Sequence, residues 1–313
     1  MRLIDYLKAR KDIPARAREG FDRAKVIVAD NVADYYWRGT DQEVWDLTED
    51  FPNIAPPFEL YWIEAKNPPY SLSKINGMKK TPCEMSGVFV QAIEDQQEIS
   101  RLMVSLHGCS QYGFQREPRW LLSMTPFFRM EGISCSAPVV TFFLYVDKEG
   151  ALCVFRNPDD GTPAYYEVVP MTRQIDDRSK LMQITRELTP IIHVTLLATS
   201  FMHCRNVELV DIAAPSILAR AQLKRHRVSF TRYSIIEIDP MVSTIRAVGA
   251  EHGVGAKQAL HICRGHFKTY RQRGLFGRYP GTYWWGPQAR GAAYLGKVDS
   301  SYQVKKLPEA KGE

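Results

Sequence analysis

Between Glu251 and Asp299 the chain carries no acidic residue and eight basic ones: Lys257, Arg264, Lys268, Arg271, Arg273, Arg278, Arg290 and Lys297. The same stretch is rich in glycine and aromatic residues, a composition that folds into short strands and tight turns rather than helices. A one-sign run of this length cannot neutralise itself through local ion pairs, so the module it forms carries a positive potential. The asymmetry is wider than the run: residues 216–313 hold 17 Lys+Arg against 6 Asp+Glu, and residues 1–215 hold 24 against 29. This contrast predicts an N-terminal domain over 1–215 and a basic module over 216–313. The basic face is either a solvated surface or a site for polyanions, chiefly nucleic acid.

The rest of the composition narrows the class. Hydrophobic residues make up 45% and charged residues 24% of 313, which excludes a disordered tail, a fibrous repeat and a polytopic membrane protein. The six cysteines are scattered without a C-x-x-C pair, so neither a disulfide scaffold nor a zinc ribbon is indicated. No apolar run reaches the ~18 residues of a membrane span. Asp5 and Lys8 interrupt the start where a signal peptide would be apolar. A soluble cytoplasmic protein with reduced thiols is expected.

Periodicity predicts the elements. Phe21, Ala24, Val28, Val32 and Tyr35 recur at helical spacing, giving a helix over 14–37. Residues 58–64, 87–93 and 101–107 read as strands. Residues 139–146 and 151–155 read as a hairpin about Gly150. A further strand is expected over 165–169. Beyond Asp177 the spacing is helical, and Thr189-Pro190 reads as the cap and first residue of a second helix running to Cys204. That second helix is apolar nearly all round and belongs in the core. His193 within it is expected to be a satisfied core histidine. A basic helix over 216–226 and a strand over 231–238 follow. The fold class is α+β: an N-terminal antiparallel sheet with packing helices, then a small basic β-rich module.

No G-x-G-x-x-G, Walker loop, H-E-x-x-H or G-x-S-x-G occurs, which argues against common NTPases, dinucleotide enzymes, zincins and esterases. The densest reactive cluster is 260–268. His261, Cys263 and His266 invite a metal, but strand alternation separates His266 from the other two, and no companion pair stands at zinc spacing. No metal or cofactor is therefore assigned. Alternation instead makes Arg264 and His266 neighbours. A titrating imidazole beside a permanent cation is the equipment of phosphate chemistry, with His261 as a candidate second acid or base if a bulge brings it round.

Aromatic residues interleave with the cations. Tyr270, Tyr283, Trp284 and Trp285 stand among Arg264, Lys268, Arg271, Arg273 and Arg290, the recipe for a groove in which bases stack on rings and phosphates meet Lys or Arg. The same rings could equally form the core of a small β module. Trp284 and Trp285 are adjacent, so on a strand they face opposite ways, one inward and one outward.

Phe201-x-x-Cys204-x-Asn206-Val207-x-Leu209, His261-x-x-Arg264-Gly265-His266-Phe267-x-x-Tyr270, Leu275-Phe276-Gly277, Gly281-Thr282-Tyr283-Trp284-Trp285 and Arg290-Gly291 together resemble a pattern in a family of uncharacterised bacterial and phage proteins. The similarity spans most of the chain and is most specific in its last fifty residues. It implies a phage or mobile-element setting and carries over no activity. Where the pattern places His or another polar residue before Arg-Gly, this chain has Gln288-Ala289.

The leading expectation is a nucleic-acid-binding protein that engages RNA or single-stranded DNA through its C-terminal module. Arg264, Lys268, Arg271, Arg273 and Arg290 would meet phosphate, and Tyr270, Tyr283 and one of Trp284 or Trp285 would stack. Whether the protein is an enzyme is left open; if it is, metal-independent phosphodiester cleavage by His266, with His261 and Arg264, is indicated. The alternative from another class is a non-catalytic factor that docks its basic face on an acidic protein partner.

Overall fold

The computed structural model describes residues 2–11, 13, 15–40, 45–66, 71–74, 77–107, 113–130, 138–156, 161–173, 175, 177–213, 216–226, 231–239, 259–263, 265–275, 278–286, 288–290, 292–298 and 304–305. In chain order the elements are α1 (Leu3–Ala9), α2 (Ala15–Arg23), β1 (Lys25–Val28), α3 (Asp30–Thr40), β2 (Leu60–Lys66), β3 (Ser71–Lys74), β4 (Gly77–Ile93), α4 (Gln96–His107), β5 (Trp120–Met130), β6 (Val140–Val146), β7 (Phe155–Arg156), β8 (Pro163–Ala164) and β9 (Glu167–Pro170). Then follow α5 (Arg178–Met202), β10 (Val207–Ile212), α6 (Ser216–His226), β11 (Tyr233–Ile238), β12 (Ala259–Cys263), β13 (His266–Leu275), β14 (Tyr279–Trp285), β15 (Gln288–Arg290), β16 (Ala292–Val298) and β17 (Val304–Lys305). The class is α+β. Two compact units result: residues 1–202 with 209–236, and residues 203–208 with 237–313.

The first unit is built on a sheet of order β10-β11-β1-β2-β4-β5-β6-β9, with β3 added to β4. The sheet is mixed rather than antiparallel. β1 runs parallel to both β11 and β2, and the ladder from β2 through β4, β5 and β6 to β9 is antiparallel. Neighbouring residues of β2 show how it is covered. Trp62 packs edge-on against Phe21 of α2, in a core that also holds Leu3, Ile4 and Leu7 of α1. Tyr61 points the other way, where its hydroxyl meets Thr199 of α5. Helices thus lie on both faces, and each fully buried large side chain contributes roughly 1.5–3 kcal/mol.

Four expectations are corrected here. The helix over 14–37 is two helices separated by β1. The β-branched run Val26-Ile27-Val28 is worth more as a central strand with two parallel partners than as helix. Residues 101–107 are the end of helix α4, whose first turn is capped by Asp95 Oδ1 accepting the amides of Gln97 and Glu98 at 2.8 and 2.9 Å. The turn about Gly150 (φ 84°) forms as expected, but the hairpin is short. The chain after it returns to β6 through the bridge Val146↔Leu152 and the Cys153 amide donating to the Tyr145 carbonyl at 2.8 Å. Phe155 pairs instead in β7–β8, while the full ladders of β6 are with β5 and β9. Pro190 opens no second helix: α5 runs through it for 25 residues, capped instead at Asp177, which accepts the Lys180 amide at 2.7 Å. Burial of Leu188 and most of 191–201 outweighs the one backbone hydrogen bond a proline removes.

His193 of α5 sits among rings. Its Nδ1 lies 3.1 Å from the Tyr36 hydroxyl and its ring 5.6 Å from Phe51, while Nε2 has no hydrogen-bond partner among the described residues. Burial lowers its pKa to about 4, so it is held neutral. Nearby, Asp46 spends its carboxylate on its own turn, accepting the Thr48 amide and hydroxyl at 2.7 and 2.6 Å, which holds it below the usual carboxylate range.

The second unit contains the sheet β15-β12-β16-β17 and the hairpin β13–β14. Among the described residues no helix is long and apolar enough to cross a membrane.

Candidate nucleic-acid interface

The 260–268 segment is not one strand. It breaks after Cys263, and β12 and β13 belong to different sheets, so alternation does not relate His261 to His266. Arg264 lies outside the described residues, as do the side chains of His261, Arg273 and Arg290. The backbones of His261 and Arg290 are paired across β12 and β15. The remaining sequence-predicted residues fall on β13–β14: His266, Lys268, Tyr270 and Arg271 on the first strand, and Tyr283, Trp284 and Trp285 on the second.

Register sorts them by face. His266 is opposite Trp285, Lys268 opposite Tyr283 and Tyr270 opposite Gly281, so all six share one side. Phe267 opposite Trp284 and Thr269 opposite Thr282 occupy the other. On the first side Tyr283 is buried and meets Tyr270 edge-on at 5.8 Å. Tyr270 and Trp285 are only half-buried, and Lys268 and His266 are exposed. The Lys268 ammonium stands 5.1 Å from the centre of the Tyr270 ring and 5.9 Å from that of Trp285. Attraction to the ring faces holds the charge between two aromatic surfaces without neutralising it. The two tryptophans divide as expected, Trp284 buried and Trp285 half-buried.

Two residues that sequence spacing does not bring here complete the hairpin. Asn206 is 4% exposed and clamps the second strand. Its Oδ1 accepts the Trp284 amide at 2.9 Å, and its Nδ2 donates to the carbonyls of Trp284 and Asp239 at 3.0 and 2.9 Å. Its neighbour Arg205 donates its amide to Thr282 at 2.8 Å, and its exposed side chain crosses Gly281. A Cβ at Gly281 (φ 141°) would fall 2.7 Å from Arg205 Cγ, so only glycine leaves room for that crossing. Burial raises the Tyr283 hydroxyl above its ordinary range, and the Arg205 charge partly opposes this. Both residues stand some eighty positions before the strand they serve. Cys204-x-Asn206 at the end of an apolar helix was the one signal available.

The face therefore presents Lys268, Arg205, His266 and two partly open rings. Arg271 and Arg278 are exposed on the same hairpin. Residues 266–285 hold no acid, and among the described residues none of these Lys and Arg side chains is ion-paired. Among the described residues no group of three or more His, Cys, Asp or Glu could hold a metal ion. Comparison with family models, curated proteins and solved structures finds no match to this chain.

Proposed function

We propose that the β13–β14 hairpin binds single-stranded nucleic acid, RNA or DNA. The observation that carries this reading is the Lys268 ammonium held between the partly open rings of Tyr270 and Trp285, on a hairpin without a single acidic residue. Unstacked bases can lie on Tyr270 and Trp285, while Lys268, Arg205 and Arg271 meet phosphates. Arg264, Arg273 and Arg290 extend the basic track in sequence. Tyr283 and Trp284, being buried, serve this reading as the support beneath the rings rather than as stacking surfaces. If the strand is cut, His266 is the exposed imidazole assigned to proton transfer. The resemblance in sequence adds a phage or mobile-element setting to the same proposal.

The test is fluorescence anisotropy of the purified protein against labelled single-stranded RNA, single-stranded DNA and duplex at several salt concentrations, with the RNA then run on a denaturing gel. Binding that falls log-linearly with salt and weakens in both Lys268→Gln and Trp285→Ala is expected. No binding at low salt, or binding indifferent to both substitutions, refutes the reading. A partner captured through the basic face that survives nuclease treatment would put a protein in its place.

A further inference from the structure

The first unit contains a cleft of about 890 Å³, independent of the hairpin, at the ends where β1 and β11 begin. Its charged lining is Lys8 of α1, Arg18 and Asp22 of α2, Lys25 of β1, Asp211 of β10, and Arg232 just before β11. The two carboxylates are matched by the two lysines. Lys8 pairs with Asp22 at 3.0 Å and also reaches Thr231 Oγ1 at 3.2 Å, and Lys25 pairs with Asp211 at 2.7 Å. Asp211 further accepts the Ser234 hydroxyl, and these contacts with Lys25 and Ser234 hold its carboxyl below the usual range. What is left over is two guanidinium groups. Arg18 is fixed by its Nε donating to the Ile13 carbonyl at 3.0 Å, which keeps its two Nη groups for another acceptor. Arg232 is exposed and acts on Asp211 only through space. Neither is ion-paired among the described residues.

Two unmatched guanidiniums give the cleft a surplus of two positive charges. Ala24, Val26, Ile212 and Tyr233 complete its lining. Planar guanidiniums bind phosphate oxygens in pairs, and pockets of ~300–1,000 Å³ are the ordinary size for a small organic ligand. We infer that this cleft binds a small phosphate-bearing ligand of nucleotide size, its phosphates on Arg18 and Arg232. The inference needs no property of the second unit.

The experiment is calorimetric titration of the full chain with ATP, with pyrophosphate and with adenosine. ATP and pyrophosphate are expected to bind and adenosine is not. Tighter binding of ATP would assign the site to a nucleotide, and equal binding would assign it to the phosphates alone; both outcomes uphold a phosphate site. The Arg18→Gln/Arg232→Gln double variant is expected to lose about tenfold or more in affinity. Asp211→Asn keeps an acceptor for Ser234 but releases Lys25, so it is expected to tighten binding about threefold or more. Lys268→Gln, on the hairpin, is expected to change nothing, which separates this site from the proposed nucleic-acid face. The inference is overturned by no binding of either phosphate compound, by adenosine binding as well as ATP, or by an affinity that responds to Lys268→Gln and not to the arginine pair.

Discussion

A two-stranded hairpin is marginal by itself in water, so β13–β14 depends on what holds it, and Asn206 is the plainest such hold. Asn206→Ala removes one acceptor and two donated hydrogen bonds, all from a residue only 4% exposed. The Trp284 amide and carbonyl and the Asp239 carbonyl are then left without the side chain that satisfied them. At about 1 kcal/mol for each lost bond the local cost is roughly 3 kcal/mol, or about a 150-fold rise in the population of the opened hairpin. Amide hydrogen exchange reads this directly: protection at Trp284 and along β13 should fall by about two orders of magnitude. Amides of the first unit's sheet should be unchanged. Asn206→Asp is a sharper probe, because it keeps the acceptor for Trp284 N–H but turns the donor into an oxygen facing two carbonyls. Its carboxyl pKa is raised in the folded state, so the folded state binds the extra proton and stability falls as pH rises. Protection in that variant should recover on acidification. Unchanged exchange at Trp284 in Asn206→Ala would refute the clamp and, with it, the account of how the face is held.

Other substitutions test separate parts of the structure. Gly274 has φ 62°, and a Cβ there would lie 2.4 Å from the Tyr279 amide nitrogen, so Gly274→Ala should cost about 1–3 kcal/mol of hairpin stability by the same exchange measurement. Arg205→Ala keeps the backbone bond to Thr282 and should leave melting unchanged. It should reduce the slope of log affinity against log salt by about 0.7 on single strands, and an unaltered slope would remove Arg205 from the interface. His193 is held neutral with a pKa near 4. Because the unfolded chain takes up the proton first, its stabilising contribution is present above the ordinary histidine pKa and lost as pH falls toward 4. His193→Phe should therefore flatten the urea-unfolding stability between those limits, by about 3 kcal/mol at most.

Local chemistry made some of this legible. β2, β6 and β11 are β-branched and aromatic runs, and the 191–201 stretch, apolar nearly all round, reads as core. Trp284 and Trp285 had to divide because neighbours on a strand face opposite ways. Other features turned on competition between elements. Val26-Ile27-Val28 fits a helical period, and only its two parallel neighbours make it a strand. Ile99 and Met103 reveal α4 once Asp95 is recognised as its cap, whereas residues 101–107 alone pass for extended. Pro190 carries a local stop signal that packing overrides. At the candidate site the cations and rings were readable because they are contiguous. Asn206 and Arg205 were not, since their meaning depends on a hydrogen-bonded register formed with residues near 282–284.

The six residues 203–208 belong to the second unit, while the helix before them and most of the strand after them belong to the first. The polypeptide therefore passes between the units at three places, not one. A C-terminal piece excised at 216 or 237 would contain the whole hairpin and lack the asparagine that completes it. A cut before residue 203 keeps both segments but carries residues 209–236 of the first unit away with them, so no single junction separates one unit from the other. A graft of the second unit alone would have to join two segments, 203–208 and 237–313, that are separated in sequence by part of the first unit.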